Sequence, residues 1–269
     1  MPGLGMDDFL KFRELIYKLY GIYFSEMKRD ILQTKLNKLI SRHRMRSYGE
    51  CYEELVKAAD KSLLNDFANE ITVNYTSFFR ESAHFDFIRE NAAAWLKAKQ
   101  KGSRDGELRI WSSACSTGEE PYTLAMVLKE ALPAGTTIRI LATDINRKVL
   151  SKAQQGFYAA DIKNEVERYY LEKYFHKTPD GYVISEEIRS LVAFRQFNLL
   201  HDFPFINSFD MVFCRNVMIY FDAIVRKELV DRFFSILHAG GLLFIGHSES
   251  LAGQTHRFQY VQPAVYAKN

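Results

Sequence analysis

The sequence lacks any apolar run approaching the roughly 20 residues that a membrane-spanning helix needs. Its first residues, MPGLGMDDFLKF, lack the charged-then-apolar layout of a signal peptide. Cysteine is scarce: Cys51, Cys115 and Cys214 lie far apart and form no CxxC pair, which argues against a disulfide framework or a zinc site. The formal net charge of +3 over 269 residues gives no global bias toward nucleic acid or membranes. These absences predict a cytoplasmic protein with no metal site and no direct membrane insertion.

Two nucleotide-binding signatures are also missing from the segment RIWSSACSTGEEPYTLAMVLKEAL, residues 109–132. Its loop holds neither GxGxxG nor GK[ST], the turns that cradle phosphates. Instead Glu119 and Glu120 stand where a helix begins, and no Lys or Arg accompanies them in the loop. Two carboxylates repel a pyrophosphate but attract a sulfonium or an ammonium group. This pattern favours S-adenosylmethionine, which has no phosphate. The alternative is a capping box of Thr117 with Glu120 that merely starts the helix.

Asp144 ends the next apolar stretch, TIRILATD, 26 residues beyond Gly118. An acid at that place commonly binds ribose hydroxyls, a feature that both classes of nucleoside cofactor share. The alternatives for Asp144 are a solvated turn acid or a helix cap.

The order of patterns predicts an α/β fold: a doubly wound, mostly parallel sheet behind an all-α N-terminal domain. We predict helical domain 1–85, a linker helix and loop at 86–106, and a sheet domain at 107–269. The stretch GYVISEEIRSLVAFRQFNL predicts a hairpin pair, hence a small inserted antiparallel β-subdomain at about 176–197. The final RFQYVQPAVYAKN predicts a closing antiparallel strand. Ligands of such sheets bind at the carboxyl ends of the strands, where the polar loops should converge.

Several motifs carry a resemblance to a known family. NYTSFFRE, SSACSTGEEPYTLAM, ATDIN, FNLL, FCRNVMIYF and GGLLFIGHSE occur in this order through nearly the whole chain. The sequence resembles the chemotaxis receptor methyltransferases, the CheR family. The resemblance implies a Rossmann-like, S-adenosylmethionine-dependent enzyme that forms γ-glutamyl methyl esters on the cytoplasmic domains of methyl-accepting chemotaxis receptors. The product of the cofactor is S-adenosylhomocysteine.

The resemblance also implies the site residues. Cofactor contacts are expected from Asn74, Thr76 and Arg80 on the N-terminal side, Glu120 and Asp144 at the amino and ribose groups, Asn198 and Leu199 at the adenine, and Arg215 and Asn216 at the methionine part. Arg80 and Tyr220 are the expected catalytic residues, facing the methyl group and the incoming glutamate. A glutamate carboxylate is already an anionic nucleophile at neutral pH, so no general base is required.

Each of these assignments has a structural alternative. Arg80 would form an interdomain salt bridge with an acid such as Glu81, and Tyr220 would be a core aromatic with a satisfied hydroxyl. His247, in GHSE, is interpreted as structural or solvent-facing.

Residues 27–47 contain seven Lys/Arg and one acid. Helical spacing predicts one basic face beside Leu32, Leu36 and Leu39, formed by Lys28, Lys35, Lys38, Arg42 and Arg46. The resemblance implies a substrate that is a coiled coil rich in Glu and Gln, and a basic helix would steer toward it, so we interpret this face as the receptor-binding surface. The alternatives are a solvated face or a nucleic-acid site, although the (D/N)PPY motif of base-amino methyltransferases is absent.

The β-subdomain turn bears on how the receptor is reached. Family members that tether to a receptor tail have a longer, glycine-rich turn, whereas this chain has the short HKTPDGY, residues 176–182. By this resemblance we predict that the protein works without tail docking. For the oligomeric state, on which the sequence says little, the default expectation is a monomer. The rival hypothesis is a non-catalytic signalling module that binds S-adenosylmethionine or S-adenosylhomocysteine; the presence of both Arg80 and Tyr220 argues against it.

Overall fold

The computed structural model describes residues 3–57, 61–101, 106–205, 209–253 and 255–269. The N-terminal part is a helical bundle of α1 (Met6–Tyr20), α2 (Arg29–Arg42), α3 (Tyr48–Lys57) and α4 (Lys61–Ile71). Apolar side chains at helical spacing meet in one buried core, where Phe12 and Phe67 are fully buried. Helix α1 ends at Gly21, which has a left-handed φ of 69° and touches the sheet domain, since a Cβ there would lie 3.0 Å from Leu200.

Helix α5 (Ala83–Lys101) lies in and just before the segment predicted as a linker, and it packs with the sheet rather than with the bundle. Its buried Phe85, Ile88 and Leu96 share a core with the apolar residues of α6 (Glu119–Ala131). Residues 102–105, near the end of the predicted linker, lie outside the described residues.

The main sheet has the order β6-β2-β1-β7-β8-β10-β9. Its strands are β1 (Glu107–Ser112), β2 (Thr137–Asp144), β6 (Val192–Gln196), β7 (Phe209–Cys214), β8 (Leu237–Ile245), β9 (Gln259–Gln262) and β10 (Val265–Ala267). The first five strands in the order are parallel, and β10 runs antiparallel to β8 and β9. Helices α6, α7 (Arg147–Gln155) and α10 (Ala223–Ile236) connect parallel strands. The doubly wound fold and the antiparallel closing segment are confirmed.

A second, three-stranded antiparallel sheet has the order β3-β5-β4. It consists of β3 (Phe157–Ala159), β4 (Phe175–Thr178) and β5 (Gly181–Ile184), with α8 (Arg168–Tyr174) before β4 and α9 (Glu186–Arg189) after β5. The inserted sheet is confirmed, but the predicted pairing of residues 181–199 as two hairpin strands is wrong. Strand β6 instead pairs in parallel with β2, at the edge of the main sheet. Local hydrophobic periodicity predicts that a segment is a strand but does not indicate which strand it pairs with.

Hydrogen bonds seat the bundle on the sheet domain. The Tyr17 hydroxyl donates to Asp222 (2.6 Å), and the Asn198 amide donates to the Leu19 carbonyl (2.8 Å). The bundle thereby covers the carboxyl ends of β1, β2 and β7. Within the described ranges, no helix has both the length and the apolarity needed to cross a bilayer.

Candidate active site

A cavity lies where the bundle meets the carboxyl ends of the central parallel strands. Its walls combine apolar residues of the bundle and its following loop, such as Tyr20, Ile22 and Phe24, with small residues such as Ser113 and Ala114 after β1. All predicted cofactor and catalytic residues line it: Asn74, Thr76, Arg80, Glu120, Asp144, Asn198, Leu199, Arg215, Asn216 and Tyr220. The structure therefore brings together residues that are far apart in the chain.

The loop after β1 is held from two sides. Ser116 has a φ of 48°; its N–H donates to Asp144 Oδ2 (2.9 Å) and its hydroxyl donates to the Asn74 carbonyl (2.9 Å). Gly118 has a φ of 97°, and a Cβ there would lie only 2.9 Å from the Cβ of Ala153 on α7. Glycine is thus required both by backbone conformation and by space.

The start of α6 does not contain the capping box considered above. Helix α6 begins at Glu119 with Gly118 as its N-cap and no side-chain cap. The Thr117 hydroxyl donates to the Glu119 carboxylate (2.7 Å), while Glu120 lines the cavity. Pro121 occupies the third helical position, where no intrahelical N–H bond is needed. The capping alternative is wrong because the Glu120 carboxylate is engaged elsewhere.

Glu120 belongs to a buried ion network centred on Arg215, whose side chain is only 2% exposed. The guanidinium pairs with Glu120 (2.9 Å) and Glu81 (3.1 Å) and donates to the Arg80 carbonyl. Burial raises the pKa of Glu81, but Arg215 and the amide of Asn216 outweigh burial and hold that pKa below its ordinary value. Two carboxylates share one guanidinium, so the network retains negative charge that attracts a cationic ligand group.

Asp144 is buried at the end of β2, and backbone N–H groups of Asn146 and Ser116 donate to its two oxygens, each at 2.9 Å. Burial raises the pKa of Asp144, and these donors oppose the rise. The cap of α7 is Asn146, whose side chain accepts from the N–H groups of Lys148 and Val149. Both alternatives for Asp144, a solvated acid and a helix cap, are therefore wrong. Asn146 was missed, although Asn before a helical segment is a capping signal.

Arg80 and Tyr220 both line the cavity and are both partly exposed, so they lie at its mouth. The Arg80 guanidinium donates to the Tyr75 carbonyl (2.9 Å) and has no carboxylate partner among the described residues; Glu81 pairs with Arg215 instead. The alternative in which Arg80 forms a salt bridge with Glu81 is therefore wrong. Tyr220 is half-buried, and its hydroxyl makes no hydrogen bond to the described part of the chain. Burial raises the pKa of Tyr220, and the nearby Arg80 opposes that rise.

The residues predicted to lie beside the adenine also stabilise the fold. The Asn198 side-chain NH₂ donates to the Leu19 carbonyl, and its Oδ1 accepts from the N–H of Leu200 (3.0 Å). Leu199 is buried in the cavity wall.

The predicted basic face is only partly realised. Lys28 precedes α2, in a short 3-10 turn, and Arg46 follows its end at Arg42, so the two do not share that helix with Lys35 and Lys38. The helix stops because the chain turns left-handed two residues later, a break that the charge pattern does not show. Lys35 donates to the Glu70 carbonyl (2.6 Å), and Arg42 pairs with Glu70 (2.8 Å). Lys28 and Lys35 line the cavity.

Comparison with known proteins identifies the family. Residues 7–72 match "CheR methyltransferase, all-alpha domain", and residues 74–267 match "CheR methyltransferase, SAM binding domain". The chain is 37% identical over 268 residues to a chemotaxis protein methyltransferase of Borreliella burgdorferi, covering 98% of this chain and 94% of the relative. It is also 37% identical to chemotaxis protein methyltransferase 2 of Pseudomonas aeruginosa (97% and 92% covered) and 35% identical to the Escherichia coli chemotaxis protein methyltransferase (96% and 90%).

The chain belongs to the CheR methyltransferase family. Its cofactor is S-adenosylmethionine, as the SAM-binding match indicates. The cavity fits that cofactor: carboxylates of Glu120 and Asp144 suit an ammonium group and ribose hydroxyls, and apolar walls suit an adenine.

Glu249 is a functional candidate that the sequence analysis missed. One of its oxygens accepts from the N–H groups of Gly246 (2.6 Å) and Asn216 (3.0 Å), and the other accepts from the N–H of Ile219 (3.3 Å). This carboxylate clamps the loop after β7, which carries Arg215, Asn216 and Tyr220 in this CheR-family chain, to the end of β8. An acid at the end of a strand near GG is the signal that could have found it.

Three potential metal ligands, Glu81, His84 and His247, have ligand atoms within 4.8 Å of one another. His84 is fully buried, and neither ring nitrogen has a hydrogen-bond partner within the described residues, although Nδ1 lies 3.8 Å from a Glu81 carboxylate oxygen. His247 is exposed, with its ring 4.9 Å from that of His84. The Arg215 guanidinium, bonded to the same Glu81 carboxylate, disfavours a cation there. The absence of a metal site stays a prediction.

Proposed function

We propose that the protein transfers the methyl group of S-adenosylmethionine to glutamate side chains of chemoreceptor cytoplasmic domains, forming γ-glutamyl methyl esters. The observation that carries the proposal is the pair of Arg80 and Tyr220 at the cavity mouth. Arg80 is free of carboxylate partners in the described chain while the neighbouring acid, Glu81, is occupied by Arg215. The site therefore holds a guanidinium that has no carboxylate partner in the described chain where a substrate carboxylate would arrive.

The reaction asks for alignment rather than proton transfer. A glutamate carboxylate with a pKa near 4.3 is ionised at neutral pH and can attack directly. The Arg80 guanidinium can donate hydrogen bonds to the substrate carboxylate, and the Tyr220 hydroxyl can donate a further one to orient it. The bound cofactor supplies an electrophilic methyl group on a sulfonium. Holding the nucleophile in line and excluding water supplies the rate enhancement.

Names of the relatives support a receptor substrate, since all three are chemotaxis protein methyltransferases. Within the predicted receptor-binding set, the structure favours Lys28, which is exposed and lines the cavity. Arg42 is less suited, because Asp66 and Glu70 already neutralise it. Lys38 and Arg46 are exposed but do not line the cavity, so they would contact receptor segments beyond the modified glutamate.

We further propose that the protein is a cytoplasmic monomer that acts without tethering to a receptor tail. Only two residues, Pro179 and Asp180, separate β4 from β5, so the inserted sheet offers a short turn to a tail peptide. Tight binding of a receptor-tail peptide, measured by calorimetry on the full chain, would contradict this proposal.

The test of function uses membranes carrying the cognate receptors and S-[methyl-³H]adenosylmethionine. We expect base-labile, volatile label on the receptor, as a methyl ester gives, and we expect Arg80→Ala and Tyr220→Phe to lose most of it. Tyr260→Phe, which removes an exposed hydroxyl on β9, is the matched control and should label normally. Cofactor binding without label on any receptor would support the non-catalytic module instead. Steeply salt-dependent binding of DNA or RNA would support the nucleic-acid alternative.

A further inference from the structure

Large apolar side chains surround the mouth of the cavity. Tyr23, Ile31, Val73 and Tyr75 all line it, and each is more than half exposed. We call these four residues the apolar rim. Single exposed apolar residues are ordinary on protein surfaces, but a group gathered around the entrance to a site is typical of an interaction surface.

Two segments build the apolar rim. Tyr23 lies in the connection after α1, and Ile31 lies in the first turn of α2. Val73 and Tyr75 lie in the extended stretch after α4, where exposed residues alternate with half-buried Asn74. The same short stretch therefore presents polar groups to the cofactor cavity and apolar groups to the outside.

Tyr75 is also connected to the catalytic arginine. The Arg80 guanidinium donates to the Tyr75 carbonyl (2.9 Å), and its central carbon lies 5.3 Å from the centre of the Tyr75 ring. A partner that covers Tyr75 would remove water from around Arg80. In that less polar surrounding, the attraction between the guanidinium and a carboxylate becomes stronger.

The charges at the mouth define the chemistry of the occupant. Exposed Lys28 and partly exposed Lys35 and Arg80 line the cavity, whereas the lining carboxylates are either paired, as in Glu120 with Arg215, or buried, as in Asp144. The mouth is thus cationic and apolar on its outer side. It complements a segment that carries a glutamate together with apolar side chains and further acidic groups.

We propose that the apolar rim is the docking surface for the receptor helix that carries the methylated glutamate. This proposal rests on the proposed function, and it locates the substrate-binding energy in apolar contacts at the cavity mouth. The basic residues then speed up encounter and confer salt dependence on the association rate, while the rim sets how long the helix stays.

Alanine substitutions at Ile31 and Tyr75 test the proposal in the receptor-membrane methylation assay. Truncating a buried apolar anchor commonly weakens binding about tenfold, so we expect KM for the receptor to rise by about that factor and KM for S-adenosylmethionine to stay unchanged. Ile31→Ala is the cleaner variant, because Tyr75 has a hydrogen bond and a ring contact with Arg80, whereas the aliphatic Ile31 side chain can form neither. Matched controls are Val56→Ala and Tyr260→Ala, which truncate residues of comparable exposure that do not line the cavity.

The possible failures are distinguishable. If the wild-type protein methylates the receptor and the rim variants behave like their controls, the docking proposal is overturned and the proposed function stands. A rise in KM for S-adenosylmethionine in Ile31→Ala would also overturn it, since that result indicates a damaged cavity. If the wild-type protein labels no receptor, the proposed function fails and the docking proposal fails with it.

Discussion

Replacing Glu249 by Gln tests whether one carboxylate sets the geometry of the loop after β7, which carries the proposed catalytic residue Tyr220. Glu249 accepts three backbone hydrogen bonds, from Gly246, Asn216 and Ile219. Asn216 has a left-handed φ of 57°, which an unsupported loop would tend to relax. Gln has the same shape but can present only one acceptor oxygen, and its NH₂ group opposes a donor on the other side.

The magnitude follows from these bonds. A hydrogen bond to a charged acceptor contributes about 1.5 to 3 kcal/mol and a neutral one about 0.5 to 1.5 kcal/mol. At the low ends of these ranges, losing one bond and weakening two costs about 3.5 kcal/mol. Burial raises the pKa of Glu249, which indicates that the bonds do not fully offset the desolvation of its charge. The neutral Gln recovers part of that penalty. We therefore expect the free energy of unfolding to fall by only about 1 to 2 kcal/mol.

The effect on catalysis should exceed the effect on stability. A shift of about 1 Å in catalytic groups can cost about a hundredfold in rate, and the clamped loop carries Tyr220. We expect kcat of Glu249→Gln to fall about ten- to hundredfold, measured at saturating S-adenosylmethionine beside a denaturant titration. Glu90→Gln, an exposed acid on α5, is the control. An unchanged kcat, or a loss no larger than the unfolded fraction explains, would refute the reasoning.

Three further predictions concern buried groups. Arg215→Met leaves the carboxylates of Glu81 and Glu120 unpaired, so we expect a loss of about 3 to 5 kcal/mol in the free energy of unfolding, measured by urea denaturation, and weaker cofactor binding by calorimetry. Burial, with Arg215 nearby, lowers the pKa of His84 from an ordinary 6.5 to about 3. Below pH 6.5 the unfolded chain therefore binds a proton at His84 that the folded chain does not bind, so the free energy of unfolding falls as the pH drops. Between pH 6.5 and 4.5 this amounts to at most about 2 to 3 kcal/mol, and urea titrations of His84→Phe should show an acid limb that is flatter by that amount. Gly118→Ala should cost about 1 to 3 kcal/mol and lower cofactor affinity, because it strains the loop against α7; unaltered thermal unfolding would contradict this.

The strand-end residues were accessible from sequence because of a general rule. Parallel strands direct their carboxyl ends to one edge, so polar residues that follow apolar runs must meet there. Glu120, Asp144 and Arg215 satisfy this rule, and the structure places all three around one cavity. The absence of phosphate-binding glycines, together with Glu119 and Glu120 in the loop, then favoured a cationic nucleoside cofactor over a dinucleotide.

Other features depend on long-range partners that local patterns do not contain. Nothing in the sequence distinguishes Arg80 from Arg215 as the partner of Glu81, since the choice depends on how β7 approaches α5. The sheet to which β6 belongs is likewise decided by an available edge and not by its own residues. Arg46 was assigned to the face of a helix that ends four residues earlier, because charge periodicity continues past the point where the backbone turns.

The extended stretch between α4 and α5 connects the two parts of the site. Asn146 donates to the hydroxyl of Thr72 (3.0 Å) at one end, and the Phe79 N–H donates to the hydroxyl of Thr123 on α6 (3.3 Å) at the other. In the middle of the stretch, the Asn74 carbonyl accepts a hydrogen bond from the hydroxyl of Ser116, in the loop after β1. The sheet domain therefore fixes the backbone that presents the outer apolar residues. A receptor helix and the cofactor would contact opposite faces of this one fixed segment. Their relative position would then be set before either binds. In-line methyl transfer requires such a fixed arrangement of nucleophile and methyl group.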